Sequence, residues 1–208
     1  MAASEPDPLQ SWNKFLNPDS LKSNLIVASM FLAAYESLRA SVIDQLKDFF
    51  CVGFDQNGFN YSPDYESKVL SKHKSPLRAS LLWLKDMDVV TGSDLDRVDR
   101  IRKHRNEIAH DLPRFITESD SDVNVPLIVD ICEMVAKIDQ WWIREVEIPT
   151  NPDFTPEQLD SIDYAGVTSG RMMFLRMMLE IATGDNEQAS SYYNAFTKAA
   201  SDMAQRSS

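Results

Sequence analysis

The chain concentrates phosphate-binding and proton-transfer chemistry in six residues, from Arg105 to His110, near the end of a basic segment. Arg105 is a permanent cation whose planar guanidinium can hold a phosphate through two hydrogen bonds. His110 is of the one side-chain type that ordinarily titrates near neutral pH, so it can accept or donate a proton. Asn106 can hold either the histidine or the phosphate through its amide. This combination suits the cleavage of a phosphodiester bond.

Cleavage of RNA without a metal ion needs groups of these types. A ribose 2′-hydroxyl must lose a proton to attack phosphorus, and the leaving 5′-oxygen must gain one, and a histidine can serve in either step. Arginine stabilises the negative charge that develops on the phosphate oxygens. Because one histidine cannot be acid and base at once, a second copy from a symmetry-related subunit would supply the other.

The spacing of Arg105 and His110 is by itself a weak signal. With eleven arginines and three histidines, about 0.5 such pairs are expected by chance in a chain of this composition. Arg97 and His104 also match, but Val98 follows Arg97 where a polar residue would serve the chemistry, so Arg105 is preferred. The alternative is structural: a surface ion pair between Lys103 and Glu107, and a histidine that favours the negative end of a helix.

Charge is distributed unevenly along the chain. The net charge is −11, which disfavours nucleic-acid binding by the protein as a whole. Residues 118–163 carry 12 acidic and 2 basic side chains, whereas residues 1–117 are close to neutral. A basic stripe therefore remains on the segment that ends in the motif. Its members, Arg105 apart, are predicted to bind or support an RNA substrate: Arg97, Arg100, Arg102 and Lys103.

Apolar residues recur at three- and four-residue spacing through most of the chain, which predicts an all-α protein. No convincing set of strands is present, although Asn57-Gly58 permits a small hairpin. Helices are expected over residues 19–50, 76–91, 93–112, 126–146, 155–183 and from 185 onward. Caps are expected at Asp19 or Ser20, at Ser75, at Ser93 with Asp96, at Thr155 with Gln158, and at Asp185.

The organisation predicted from these segments is a disordered lead at 1–17, a helical bundle at 18–147 and a C-terminal helical extension at 148–208 that packs on it. No apolar run approaches the roughly 20 residues of a membrane span, so a cytoplasmic protein without a membrane partner is expected. Cys51 and Cys132 are interpreted as reduced core thiols. With three histidines and no Cys-x-x-Cys, neither a metal site nor a cofactor is expected. The stripe of Met172, Met173, Met177 and Met178 fits a core face or a contact with a partner.

The motif Arg105-Asn106-x-x-x-His110 resembles that of HEPN domains, in which an arginine, commonly followed by a polar residue, precedes a histidine after four to six intervening positions. HEPN domains are all-α bundles with this motif late in a helix, and residues 21–146 offer four suitable helices. The resemblance covers about 60% of the chain and leaves residues 150–208 unmatched.

The resemblance implies a metal-independent endoribonuclease, of the toxin or anti-phage effector kind. It also implies a homodimer with two motifs in one cleft, and products that end in 2′,3′-cyclic phosphate. Arg105 and His110 become the catalytic pair, with Asn106, Arg102 and a polar residue of the first helix, Glu36 or Arg39, in support. The expected partners are RNA and an antitoxin or other protein. Two alternatives remain open: a non-catalytic HEPN-like binding or dimerisation module, and an unrelated helical interaction protein.

Overall fold

A computed structural model of the chain describes residues 7–56, 58–184 and 190–199, and most of these residues are helical. The all-α class predicted from the apolar spacing is confirmed. The helices are α1 (Pro8–Leu16), α2 (Pro18–Arg39), α3 (Gln45–Phe49), α4 (Pro76–Asp86), α5 (Gly92–His110), α6 (Leu112–Thr117), α7 (Pro126–Trp142), α8 (Ile148–Thr150), α9 (Pro156–Asp160) and α10 (Gly170–Thr183), and residues 190–199 are also helical.

The core forms where α2, α5 and α7 pack against one another, and α10 and α6 also contact α2. Each long helix turns a row of large apolar side chains inward, because three- and four-residue spacing places them on one face. The largest fully buried residues of these three helices are Phe31, Leu38, Ile101, Ile108, Ile131, Met134, Ile138 and Trp142.

The first long helix runs from Pro18 to Phe49 as one continuous element, with a π-helical turn at Ala40–Asp44 between α2 and α3. Its cap is Asn17, whose side-chain oxygen accepts hydrogen bonds from the N–H groups of Asp19 and Ser20. The expectation that Asp19 or Ser20 caps this helix is wrong, because Pro18 already occupies the first helical position, where its missing N–H costs nothing.

This helix is also long and apolar enough to cross a membrane by length and composition alone, although the sequence showed no uninterrupted apolar run. Half of its most apolar window is buried inside the bundle. A core helix of a helical bundle can pass the same test, so one such helix is weak evidence for a membrane span.

The cap of α5 lies two residues before the predicted one. Thr91 Oγ1 accepts from the Asp94 N–H, and the Asp94 carboxylate accepts from the Thr91 N–H. The expected pair of Ser93 and Asp96 is wrong. Asp94 takes this position because its carboxylate is buried and also accepts a hydrogen bond from the Lys137 ammonium of α7, over 2.7 Å.

The C-terminal part differs from the expected helix over 155–183. Thr155 and Gln158 form the predicted capping box, but α9 ends at Asp160. Asp163 then holds the Ala165 N–H in a turn, and α10 begins only after Ser169. The capping prediction at Asp185 lies outside the described residues.

The predicted disordered lead also needs correction, because Pro8–Leu16 form α1. The Asp7 carboxylate caps this helix. Lys14 anchors it to the loop before α7, since its ammonium donates to the carbonyls of Glu118 and Ser121 and to the Asp122 carboxylate, at 2.6–2.8 Å. Residues 1–6 of the predicted lead lie outside the described residues.

The small hairpin that the sequence permits is present between α3 and α4. Strand β1 (Cys51–Asp55) pairs antiparallel with β2 (Gly58–Tyr61), with an irregular register between Cys51 and Gly53. Gly58 has a φ of +119°, a conformation open mainly to glycine.

Candidate functional site

Arg105 lies where the buried face of α5 meets solvent. It follows Ile101 by four residues and precedes Ile108 by three, and both isoleucines are fully buried. The side chain of Arg105 is 34% exposed, and its Nη2 donates to Glu36 Oε1 over 3.3 Å. The guanidinium carbon also lies 5.4 Å from the centre of the Tyr35 ring, a distance at which a cation is attracted to an aromatic face. Two residues of α2 thus hold Arg105 in place.

The guanidinium keeps hydrogen-bonding capacity after these contacts. An arginine has five N–H donors, and the Arg105 Nε is buried without a hydrogen-bond partner among the described residues. Burial raises the pKa of the Tyr35 hydroxyl, and the Arg105 charge opposes that rise only in part. Tyr35 therefore stays neutral at physiological pH and cannot neutralise the arginine. The arrangement leaves a partly desolvated cation able to bind an anion.

His110 and Asn106 are both exposed on α5. His110 is the last residue of the helix, and no hydrogen bond joins its ring to any other residue in the described part of the chain. It follows Arg105 by five positions, which turns it about 140° around the helix from Arg105. Within one copy of the chain, Arg105 and His110 therefore share a helix end, and the structure shows no contact between them.

The rest of the basic stripe divides between two sides of α5. Arg97 is committed to α7, because its Nε lies 3.2 Å from Asp130 and its Nη1 lies 3.0 Å from Glu133. Arg102 faces α4 and has a looser contact with Asp99, at 3.8 Å. Arg102 lies four positions before Asn106 and therefore shares its side of α5, whereas Arg97, nine positions before Asn106, lies on the opposite side.

The other two cations of the stripe are solvated. Lys103 is 80% exposed, with Glu107 at 4.0 Å. Arg100 is exposed and has no ion pair among the residues that the structure describes. Both are free to contact a polyanion.

His104 has a structural position. Its ring packs edge-on against Phe31 and Phe115, with centroids 5.1 and 5.5 Å away. The Asn124 backbone N–H donates to His104 Nε2 over 2.9 Å, and Nδ1 lies 3.2 Å from the Glu107 carboxylate. Because Nε2 accepts, the proton of the neutral ring sits on Nδ1. Both nitrogens are engaged, so His104 is unavailable as an acid or base.

A polar cluster that sequence reasoning missed joins α10 to the bundle. The buried Asp139 carboxylate accepts from Ser41 and Arg171 through one oxygen, at 2.5 and 2.6 Å, and from Ser169 through the other, at 2.6 Å. A cavity of about 380 Å³ lies beside it. No sequence spacing could have indicated this cluster, because its members come from three elements far apart in the chain.

Within the described ranges, no three or more His, Cys, Asp or Glu side chains group as metal ligands would. Comparisons with known proteins found no match to this chain, whether among family models, curated proteins or solved structures.

Proposed function

We propose that this chain is a HEPN-type endoribonuclease that cleaves RNA without a metal ion, at a site composed from two copies of the chain. One observation carries the proposal. Arg105 is held at the edge of the core by Tyr35 and Glu36 and spends one of its five N–H donors on that contact. His110, which is exposed and has no hydrogen-bond partner among the described residues, ends the same helix.

The chemistry requires two proton transfers around one phosphate. One His110 takes the proton of the ribose 2′-hydroxyl, whose oxygen then forms a bond to phosphorus. The bond from phosphorus to the 5′-oxygen breaks, and a protonated His110 gives that oxygen its proton. Arg105 donates hydrogen bonds to the phosphate oxygens as their charge builds up. The products are a 2′,3′-cyclic phosphate and a 5′-hydroxyl.

A second copy supplies what one copy lacks. His104 is occupied by Asn124 and Glu107, which leaves His110 as the available histidine of this helix. The angle of about 140° between Arg105 and His110 also separates the two side chains on one helix. Two α5 helices related by a two-fold axis would bring the arginine of each copy towards the histidine of the other.

The test is cleavage of a labelled single-stranded RNA by the purified chain in EDTA. The wild type is expected to cleave, and His110→Ala and Arg105→Ala to lose at least about 100-fold in rate. Arg144→Gln is the matched control, because Arg144 is exposed and bonds to its neighbour Glu145. Light scattering should give twice the 23.6 kDa chain mass. Equal cleavage by His110→Ala and wild type would exclude this mechanism.

A second candidate is a non-catalytic HEPN-like binding module. It is favoured by the apolar side chains that α1 and α10 leave exposed, among them Leu9, Trp12, Met173 and Phe174. It predicts that Met173→Ser removes a protein partner while His110→Ala retains it. The resemblance alone supports a role as a cytoplasmic toxin or anti-phage effector.

A further inference from the structure

A cavity of about 260 Å³ opens between the start of α4 and the middle of α5. Apolar side chains form part of its wall. Its polar lining consists of His73, Ser75, Arg78, Asp99 and Arg102. Two arginines against one carboxylate give the lining a net positive charge, which suits an anion.

Asp99 contacts both Arg78 and Arg102 at this cavity and leaves several of their N–H donors without a partner in that contact. Arg78 Nη1 donates to one Asp99 oxygen over 2.9 Å, and Arg102 Nη2 lies 3.8 Å from the other. Each guanidinium has five N–H groups, so several remain on both. The single carboxylate balances one of the two cations and leaves the pair with a net positive charge.

The chain at the start of α4 adds further donors. The Ser75 N–H donates to His73 Nδ1 over 2.9 Å, so the proton of the neutral His73 ring sits on Nε2 and points away from that bond. The Ser75 side chain makes no capping hydrogen bond to α4. Pro76 has no N–H, and the N–H groups of Leu77 and Arg78 have no side-chain acceptor among the described residues, so an anion would satisfy them.

This cavity neighbours the proposed catalytic residues. Arg102 precedes Arg105 by three residues and Asn106 by four, which is one turn of α5 or about 5.4 Å. A strand that lies along α5 with one phosphate at Arg105 would carry another phosphate towards Arg78 and Arg102.

We infer that the cavity between α4 and α5 binds a phosphate group of the RNA strand next to the cleaved linkage. This inference rests on the proposed endoribonuclease function. A free phosphate-bearing small molecule has the same recognition chemistry, so the experiment separates the two sources.

The first arm measures RNA binding in a His110→Ala background, where the strand stays intact. Fluorescence anisotropy of a labelled single-stranded 12-mer is recorded from 50 to 300 mM KCl. Arg78→Gln is expected to weaken binding about three- to tenfold and to reduce the slope of log K against log[salt] by about 0.7, the value for one lost phosphate contact. Asp99→Asn is expected to tighten binding, and Arg144→Gln to leave it unchanged.

The opposite signs of Arg78→Gln and Asp99→Asn keep the test independent of folding. Both substitutions break the same ion pair, so a purely structural effect would move binding in one direction for both. An unchanged salt slope in Arg78→Gln, or weaker binding in Asp99→Asn, overturns the inference.

The second arm compares inorganic phosphate with chloride at equal ionic strength. Binding is measured by the amide chemical shifts of ¹⁵N-labelled protein. Phosphate is expected to move the Leu77 and Arg78 signals in the wild type and not in Arg78→Gln. Phosphate binding without RNA binding would overturn both the RNA assignment and the proposed function. If Arg78→Gln cleaves RNA normally and, in the His110→Ala background, leaves the slope of log K against log[salt] unchanged, this inference is overturned and the proposed function stands.

Discussion

The backbone N–H of Asn124 donates to Nε2 of His104 over 2.9 Å, across 20 residues of chain. This bond ties the acidic loop before α7 to the middle of α5. The histidine ring also fills the space between Phe31 and Phe115, and its side chain is only 13% exposed. His104 is therefore a packing residue that lies one position before the candidate catalytic arginine.

His104→Ala should lower the free energy of unfolding by about 2–3 kcal/mol, because it removes ring packing and an acceptor together. His104→Phe keeps the ring and should cost less. Urea unfolding followed by circular dichroism measures both. His110→Ala is the control, since His110 is exposed and has no hydrogen-bond partner among the described residues, and a change within about 0.5 kcal/mol is expected. Full RNA cleavage by His104→Phe would agree with a structural role, and its loss would contradict it.

Asp139 should be the residue on which the docking of α10 depends. Asp139→Ala leaves the Arg171 charge without its partner and two serine hydroxyls without their acceptor. A cost of about 3–5 kcal/mol is expected, as for other broken buried ion pairs. Amide exchange should then rise in α10 more than in α5.

The control for Asp139 is Glu145→Gln, which breaks an exposed pair with Arg144. Such pairs contribute roughly 0–1 kcal/mol. A loss in Asp139→Ala no larger than in Glu145→Gln would contradict a stabilising role of the cluster.

Asp94 should make stability depend on acid pH. Burial alone would raise the pKa of this carboxyl, but hydrogen bonds from Lys137 and Thr91 outweigh burial and hold the pKa below its ordinary value of 3.8. A carboxyl with a lowered folded-state pKa stabilises the protein above its unfolded-state pKa, and that contribution is lost as pH falls through the folded-state value.

Asp94→Asn should therefore be less stable than the wild type at pH 7, by about 1 kcal/mol. The difference should shrink as pH falls below about 4. Urea midpoints at pH 7, 5, 4 and 3 measure it. Asp96→Asn, on the exposed side of the same helix, should show no such convergence. A constant difference between Asp94→Asn and wild type at all four pH values would disprove the linkage.

Glu36→Gln should strengthen RNA binding about two- to fivefold, the equivalent of an exposed ion pair of about 0.5–1 kcal/mol. The Glu36 carboxylate lies 3.3 Å from Arg105 and competes with a phosphate for the guanidinium. Anisotropy in the His110→Ala background measures the change, with Glu145→Gln as the control. Weaker binding in Glu36→Gln would instead show that Glu36 orients Arg105.

The helices and some of their ends could be predicted because their signals are local. The spacing of Ile101 and Ile108 predicts the buried face of α5, and Thr155 with Gln158 predicts a capping box. The sequence does not place the cap of α5 correctly, because Thr91 and Ser93 are both common N-cap residues. The ion pair between Asp94 and Lys137, which lie 43 positions apart, favours the cap that includes Asp94 over the one that would include Asp96. Helix α1 was missed for a similar reason, since Lys14 has its partners more than 100 residues further on.

Local spacing along the chain was enough to predict the all-α class and the approximate extent of the central helices. Helical periodicity follows from a fixed rotation per residue, so it can be read along the chain. Tertiary structure alone decided that Arg105 meets Tyr35 and Glu36, that His104 is occupied, and that Asp139 gathers partners from three elements. Those relationships depend on how separate helices pack, and packing brings together residues whose distance along the chain carries no signal.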